Sequence, residues 1–118
     1  MLKLNHKKLI AWEKSLNLIR EVYKLTKRLP KEEQYVLISQ LQRAAVSVAS
    51  NIAEGASRKS TVERRRFYQI SRSSAVEVDT QIEICLLLEY CKQNELDELD
   101  AELNNVFALL TAMINNTK

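Results

Sequence analysis

Residues able to build a hydrogen-bonded network recur at helical spacing between positions 40 and 58 of the chain. Side chains three or four positions apart fall on one face of an α-helix, here within about 80° of arc. The set mixes amides, a hydroxyl and charges, and its members are Gln40, Arg43, Ser47, Asn51, Glu54 and Arg58. A face that only meets water is usually richer in Lys and Glu, so this composition favours a network of polar contacts.

A second polar set on a later segment has the same geometry, within about 60° of arc, and it comprises Glu63, Ser74, Glu77 and Gln81. We call the ten residues together the polar stripe. Arg43 facing Glu77 would make a charge-assisted bond, either across a pair of helices or across a subunit boundary. The alternative is that both sets merely face water. Arg43→Ala separates the two: it costs about 3–5 kcal/mol if Arg43 pairs with a buried carboxylate, and less than about 0.5 kcal/mol if it is solvated.

Groups for metal, cofactor or nucleophilic chemistry are scarce in the chain. His6 is its one histidine, and it lies in the N-terminal segment. A di-iron bundle needs Glu-x-x-His pairs and haem attachment needs Cys-x-x-Cys-His, and the chain has neither pattern. One glycine cannot build a phosphate-binding loop. We therefore expect no cofactor, no metal and no catalysis. A hidden enzyme would need a deep pocket lined by Arg43, Asn51, Glu54 and Glu77.

Basic residues form a separate set that could bind phosphates. The candidates for nucleic-acid binding are Lys7, Lys8, Lys14, Lys24, Lys27, Arg28, Arg58, Lys59, Arg64, Arg65, Arg66 and Arg72. Residues 1–31 carry a net charge of +7 and residues 93–118 a net charge of −4. Basic patches bind the backbone of RNA or DNA. The alternative is a solvated face, because the 15 acidic residues nearly balance the 18 basic ones and aromatic residues for base stacking are few.

The composition limits the elements that can position these groups. One glycine and one proline in 118 residues argue against β-rich folds, whose tight turns need many more of both. A hydrophobic content of 46% with a net charge of only +3 argues against disorder. We predict one all-α domain over residues 1–118, with helices at about 7–28, 31–56, 61–92 and 95–115. Short links between them predict an antiparallel up-down-up-down four-helix bundle.

Local signals mark the expected helix ends. Leu29-Pro30 should end the first helix, and Gly55 is placed to cap the second. Ser60 opens a capping box for the third helix, and Asn94 with Asp97 resembles a cap for the fourth. The stripe expected to be buried on the first helix is Leu9, Trp12, Leu16, Ile19, Tyr23 and Thr26.

Signals for export or membrane insertion are missing from the sequence. The N-terminal residues lack the apolar core of a signal peptide, and no apolar run approaches the roughly 18 residues of a membrane span. Cys85 and Cys91 lie six positions apart, point to different faces of a helix and are best interpreted as reduced core residues. A cytoplasmic protein without membrane contact is the expectation.

The densest motif in the chain is the run QLQRAAVSVASNIAEG at residues 40–55. Signature positions around it include Arg58, Ser60, Glu63, Phe67, Ser74, Glu77 and Gln81, with AWEKS at 11–15 and VYKLT at 22–26. Over about residues 8–92 the chain resembles a bacterial four-helix-bundle family encoded in intervening sequences of large-subunit rRNA genes. Its members were once labelled ribosomal protein S23, and it includes relatives of the accessory variability protein of diversity-generating retroelements. Ser73 departs from the family's usual glycine, and Val48-Ala49 from its commoner Ile-Pro.

The resemblance implies properties beyond the residues themselves. Family members tend to form homo-oligomeric rings, typically pentamers, in which the polar stripe would also fix subunit register. The retroelement relatives bind nucleic acid and a reverse transcriptase, and for most members no biochemical function is established. We expect a non-catalytic homo-oligomer that binds RNA or another nucleic acid through basic surfaces. The alternative is a protein-interaction scaffold or accessory subunit that does not bind nucleic acid.

Overall fold

A computed structural model describes residues 1–117 of the chain. These residues form four α-helices: α1 at Ile10–Thr26, α2 at Ser39–Ser57, α3 at Thr61–Leu87 and α4 at Asp97–Asn116. Consecutive helices pack against each other, and α1 also packs on α4, which closes the bundle. The predicted all-α, antiparallel up-down-up-down four-helix bundle is confirmed.

The core is one cluster of buried side chains contributed by all four helices. Its fully buried aliphatic members are Leu18, Leu41, Ile52, Leu110, Val22, Val48, Val78 and Val106. Cys85 and Cys91 lie in the same cluster as free thiols, in agreement with their predicted role. Burial raises the pKa of the Cys85 thiol to about 11, and the nearby Cys91 and Glu33 add to the rise.

The buried face of α1 is not the one the sequence predicted. The buried residues are Ala11, Ser15, Leu18, Val22, Leu25 and Thr26, so the predicted stripe contributes only Thr26. Leu16 and Tyr23 are exposed, while Leu9, Trp12 and Ile19 are half-buried against the flank of the core. Since α1 is apolar over two adjoining faces, its periodicity did not decide between them. The small side chains of Ala11 and Ser15 are on the face that turns inward.

The link between α1 and α2 agrees with the predicted break but is longer than expected. The chain leaves α1 at Thr26 and turns before Pro30, as predicted. A 3₁₀ turn at Lys31–Glu33 and a π turn at Gln34–Ile38 then precede α2. The regular part of the second helix therefore begins eight residues later than the predicted start at 31.

The end of α3 also differs from the prediction, since the helix stops at Leu87 rather than near 92. The amide of Tyr90 donates to the carbonyl of Cys85 at 2.9 Å, and the amide of Glu89 donates to that of Leu86 at 3.1 Å. Glu89 has a φ of 62°, in the left-handed region. This pattern is a Schellman motif, in which glycine usually takes the left-handed position. Glutamate gives no such signal in a sequence.

The segment before α4 also uses a different cap from the one expected. Asn94 lies within a 3₁₀ turn at Gln93–Glu95. The amide of Lys92 donates to a carboxylate oxygen of Glu95 at 2.8 Å, and this bond lowers the pKa of Glu95. Helix α4 then begins at Asp97, two residues after the predicted start.

Candidate functional site

Helices α2 and α3 lie close together at Gly55. A Cβ atom at this position would lie 2.7 Å from Cε1 of Tyr68 and 3.1 Å from Cβ of Phe67. Gly55 is inside α2, which continues to Ser57, so its predicted role as a helix cap is wrong. The glycine is needed because a side chain would not fit between the two helices.

The polar stripe runs along the outer edge of this contact, which we call the α2–α3 seam. Ser47 and Ser74 hydrogen-bond to each other with their Oγ atoms 2.9 Å apart. The side-chain amide of Asn51 donates to both the carbonyl and the Oγ of Ser47, each at 2.9 Å. Nearer the other end, Nε2 of Gln81 donates to Oε1 of Gln40 at 3.5 Å. These five residues form the network that the spacing suggested.

One seam residue was not predicted. Ser71 is fully buried and donates its hydroxyl hydrogen bond to the carbonyl of Val48 at 2.7 Å. Its position coincides with the apolar face of α3 rather than with the polar stripe. The sequence did contain a signal for this contact, because Ser71 is a serine at a position of α3 where the helical spacing predicts an apolar core residue.

Arg43 and Glu77 lie on the same level of the seam, between the Gln40–Gln81 and Ser47–Ser74 contacts. Both are exposed, and among the described residues neither takes part in an ion pair. The bond expected between them across the helix pair is therefore not formed within one chain. Both line a groove of about 460 Å³, together with Gln40, Ala44, Ser47, Ser74 and Gln81.

One atom of this groove has no hydrogen-bond partner. Oε1 of Gln81 is buried and has no hydrogen-bond partner, and the whole residue is only 7% exposed. A buried carbonyl oxygen without a donor costs about 1–3 kcal/mol. The lining of the groove therefore includes an unmet acceptor one turn beyond the two opposite charges.

The remaining stripe residues lie away from the groove. Glu54 and Arg58 pair with each other on α2 at 3.1 Å, and the Arg58 guanidinium also stacks 4.9 Å from the centre of the Phe67 ring. Glu63 is in the first turn of α3, where its amide donates to Oγ of Ser60 at 3.3 Å as the predicted cap requires. These three residues therefore fix the turn between the helices.

Several of the basic candidates make contacts within the fold. Arg64 donates to the carbonyls of Arg58 and Lys59, at 3.1 and 2.7 Å. Arg65 donates to the carbonyl of Thr117, while Arg72 stacks 4.4 Å from the centre of the ring of Phe107 on α4. Sequence reasoning missed these roles because the partners are main-chain carbonyls and an aromatic ring, which no charge pattern reveals.

Other basic candidates pair with acidic side chains. Lys14 lies 3.8 Å from Glu102 and Lys24 lies 3.1 Å from Glu21. Arg28 pairs with Glu95. Lys8, Lys27, Lys59 and Arg66 are exposed and form no ion pair within residues 1–117, and Lys7 donates to the carbonyl of Leu2.

Charge is segregated along the 44 Å length of the bundle. One end brings together the start of α1, the end of α2 and the start of α3, and residues 1–13 and 50–68 there carry eight Lys/Arg against three Glu, a net of +5. At the opposite end, residues 21–40 and 79–101 carry five Lys/Arg against ten acids, a net of −5. We call these the basic end and the acidic end. Of the predicted nucleic-acid candidates, Lys24, Lys27 and Arg28 lie at the acidic end.

The described residues contain neither a metal-binding cluster nor a membrane-spanning helix. Within residues 1–117, no group of three or more His, Cys, Asp or Glu side chains could hold a metal ion. None of the helices described combines the length and apolar character that crossing a membrane requires.

The fold and the seam define a small four-helix-bundle protein whose polar groups serve mainly to pair helices. Residues 7–112 match the family of the 23S rRNA-intervening sequence protein, and the chain belongs to this family. Among solved structures, it is similar to a protein of unknown function from the S23 ribosomal protein family of Bacteroides thetaiotaomicron. The TM-score is 0.82 at 21% identity, over 91% of this chain and all of that one. No curated protein matches the chain, and neither match names a catalytic activity.

Proposed function

We propose that the chain is a non-catalytic, homo-oligomeric bundle that binds RNA, or another nucleic acid, through its basic end. The observation that carries the proposal is the segregation of charge, +5 at one end against −5 at the other. A phosphate backbone is attracted to the first and repelled by the second, so the charge distribution also orients the bound chain.

The basic end has side chains free to take part. Lys8, Lys59 and Arg66 are exposed and make no ion pair within the described part of the chain. Arg64 and Arg65 support the turn and the chain end instead of reaching outward. Phosphate contacts are therefore assigned to the free lysines and arginine, with the bound arginines adding to the local potential.

Assembly would multiply this charge. A ring of five copies, the form that the resemblance implies, would carry about +25 on its basic side if the copies are parallel. Several weak phosphate contacts on one rigid ring bind a folded RNA far more tightly than one copy does. The proposal places this binding in the cytoplasm, and the two unpaired, buried thiols support that location.

A second candidate function is a scaffold or accessory subunit for a protein partner. The observation that favours it is the apolar flank of the bundle, where Leu16 and Tyr23 of α1 are exposed and Tyr35 before α2 is 87% exposed. Exposed aromatic side chains are common anchors in protein interfaces. A nuclease-resistant protein partner recovered with the full chain would favour this function.

Fluorescence anisotropy with structured rRNA fragments at 50 and 200 mM salt tests nucleic-acid binding. The test variant changes Lys8, Lys59 and Arg66 to Glu, and its matched control changes Lys27, Lys31 and Lys92 at the acidic end to Glu. We expect the first variant to bind at least about tenfold more weakly and to depend less steeply on salt, and the control to change less than about threefold. Equal losses in both variants, or no binding of the wild type at 50 mM salt, would contradict the proposal.

A further inference from the structure

The α2–α3 seam has matched contacts on either side of its centre. The Gln40–Gln81 and Ser47–Ser74 contacts bridge the two helices two turns apart. Arg43 lies three residues after Gln40 and four before Ser47, and Glu77 lies three after Ser74 and four before Gln81. Both helices rise by the same distance per residue, and they run in opposite directions. The two charged side chains therefore lie at about the same height along the bundle axis, beside each other in the groove.

Neither charge is used within the chain. Both side chains are exposed, and no ion pair in the described residues includes either of them. Gln81, whose Oε1 is buried without a hydrogen-bond partner, lines the same groove one turn beyond Glu77. The seam thus offers a donor and an acceptor to something outside the chain.

The surroundings of the groove are those of a protein interface. One turn beyond the Gln40–Gln81 contact, Val36 is 56% exposed and Ile84 on the facing helix is also exposed. One turn beyond the Ser47–Ser74 contact, Ile70 is exposed. Apolar side chains at both ends of a polar centre are what a specific protein contact uses for burial and for register.

We propose that a second copy of this chain covers the α2–α3 seam, so that Arg43 of one copy pairs with Glu77 of the other. A rotation axis parallel to the helices keeps every residue at its own level. Such an axis can bring α2 of one copy against α3 of the next and thereby join the two charges. The seam carries one charge of each sign at that level. Under a twofold axis the contact is therefore complementary to itself, and under a higher-order axis each copy gives Arg43 to one neighbour and Glu77 to the other. The inference rests on the proposed homo-oligomer and goes beyond it by naming the contact surface and its ion pair.

Charge reversal tests the pairing. Arg43→Glu and Glu77→Arg each place like charges at the contact, and the double variant restores opposite ones. Native mass spectrometry and sedimentation across a range of concentrations should show each single variant dissociating at least about tenfold more readily than the wild type. The double variant should return to within about threefold of the wild type. Arg20→Glu and Asp79→Arg, exposed positions outside the seam, serve as controls for the same charge changes and should assemble normally.

Mixing the two single variants adds a measure of symmetry. A copy with Glu at position 43 has a carboxylate at both contact positions, and a copy with Arg at position 77 has a guanidinium at both. The two kinds should therefore assemble with each other while each fails alone. If the wild type is a dimer, the mixture should form a dimer with one copy of each variant. If it is a ring of five, the two variants cannot alternate around an odd-numbered ring, and the mixture should form even-numbered or open assemblies. Either result supports the pairing.

The outcomes that overturn the inference are separate from those that overturn the proposed function. If the wild type assembles and both single variants assemble equally well, the Arg43–Glu77 contact is wrong while the oligomer stands. If the wild type is a monomer at all concentrations tested, the oligomer and the contact both fail. Circular dichroism of each variant confirms that the bundle is folded, which is expected because both side chains are exposed.

Discussion

Ser47 and Ser74 join α2 to α3 by a hydrogen bond between their hydroxyls, and Asn51 donates to the same oxygen of Ser47. Ser74 is 5% exposed, so a lost partner would not be replaced by bulk water. We expect Ser74→Ala to lower the free energy of unfolding by about 1–3 kcal/mol. Adding Ser47→Ala should cost less than it does alone, because the shared bond is already gone. Urea unfolding at one fixed protein concentration measures both effects, and the exposed Ser73→Ala should stay within about 0.5 kcal/mol of the wild type.

Gly55→Ala should destabilise the bundle although alanine favours helices by about 1 kcal/mol. The added Cβ would lie 2.7 Å from the Tyr68 ring, and overpacking of this kind costs about 1–3 kcal/mol. We expect a lower melting temperature for Gly55→Ala in thermal unfolding. Ser57→Ala, exposed two residues further along α2, makes a control without this contact. A rise in melting temperature for Gly55→Ala would show that the helices separate without cost.

Glu89→Gly should stabilise the end of α3. Glu89 holds a φ of 62°, a conformation that costs a residue with a Cβ about 1–2 kcal/mol and glycine almost nothing. The right comparison is Glu89→Ala, which removes the same carboxylate but keeps the Cβ. Urea unfolding should place the glycine variant about 1 kcal/mol above the alanine variant, and equal stabilities would mean that the backbone strain is negligible.

The fold was predictable where a residue type has one physical use. Pro30 disfavours a helical conformation in the residue before it, and the Ser60 hydroxyl accepts a hydrogen bond from an amide in the first turn of α3. The end of α1 and the start of α3 could therefore be predicted from the sequence. Glu89 shows the opposite case, because a left-handed glutamate is held by the Tyr90 and Cys85 main-chain bond and not by its own preference. The end of α3 therefore depends on local main-chain hydrogen bonds, which no residue type in the sequence signals.

The candidate site divides in the same way. Helical spacing predicted that Ser47 and Asn51 share a face of α2, and the packing of α2 against α3 brings Ser74 to them. Spacing did not reveal that Arg43 and Glu77 stay unpaired within the chain, nor that Arg64 is held by main-chain carbonyls. Those outcomes depend on side-chain reach and on acceptors that every residue possesses.

Arg43→Ala should leave the stability of an isolated chain almost unchanged. Glu77 is exposed and does not pair with Arg43 within the chain, so the large loss expected for a buried carboxylate does not apply. At concentrations where the protein is monomeric, we expect the free energy of unfolding to shift by less than about 0.5 kcal/mol. Urea unfolding at low and high protein concentration checks this. A loss above 3 kcal/mol in the dilute sample would place Arg43 in a buried pair after all.

The Cys85 thiol should react slowly at neutral and mildly alkaline pH. Burial raises its pKa to about 11 from an ordinary 9.0, so at pH 8 its reactive thiolate is about 100-fold rarer than in an unfolded chain. Above pH 9 the thiol ionises in the unfolded chain but stays protonated in the folded one. The free energy of unfolding should therefore fall as the pH rises towards 11. In the Cys91→Ala variant, Cys85 is the one remaining thiol. Its rate of disulfide-exchange labelling at pH 8 should be compared between the folded variant and the same variant unfolded in urea. Cys85→Ala reports Cys91, whose pKa burial also raises but the Arg28 charge lowers, so Cys91 should react faster. Labelling of Cys85 at the unfolded rate would contradict its place in the core.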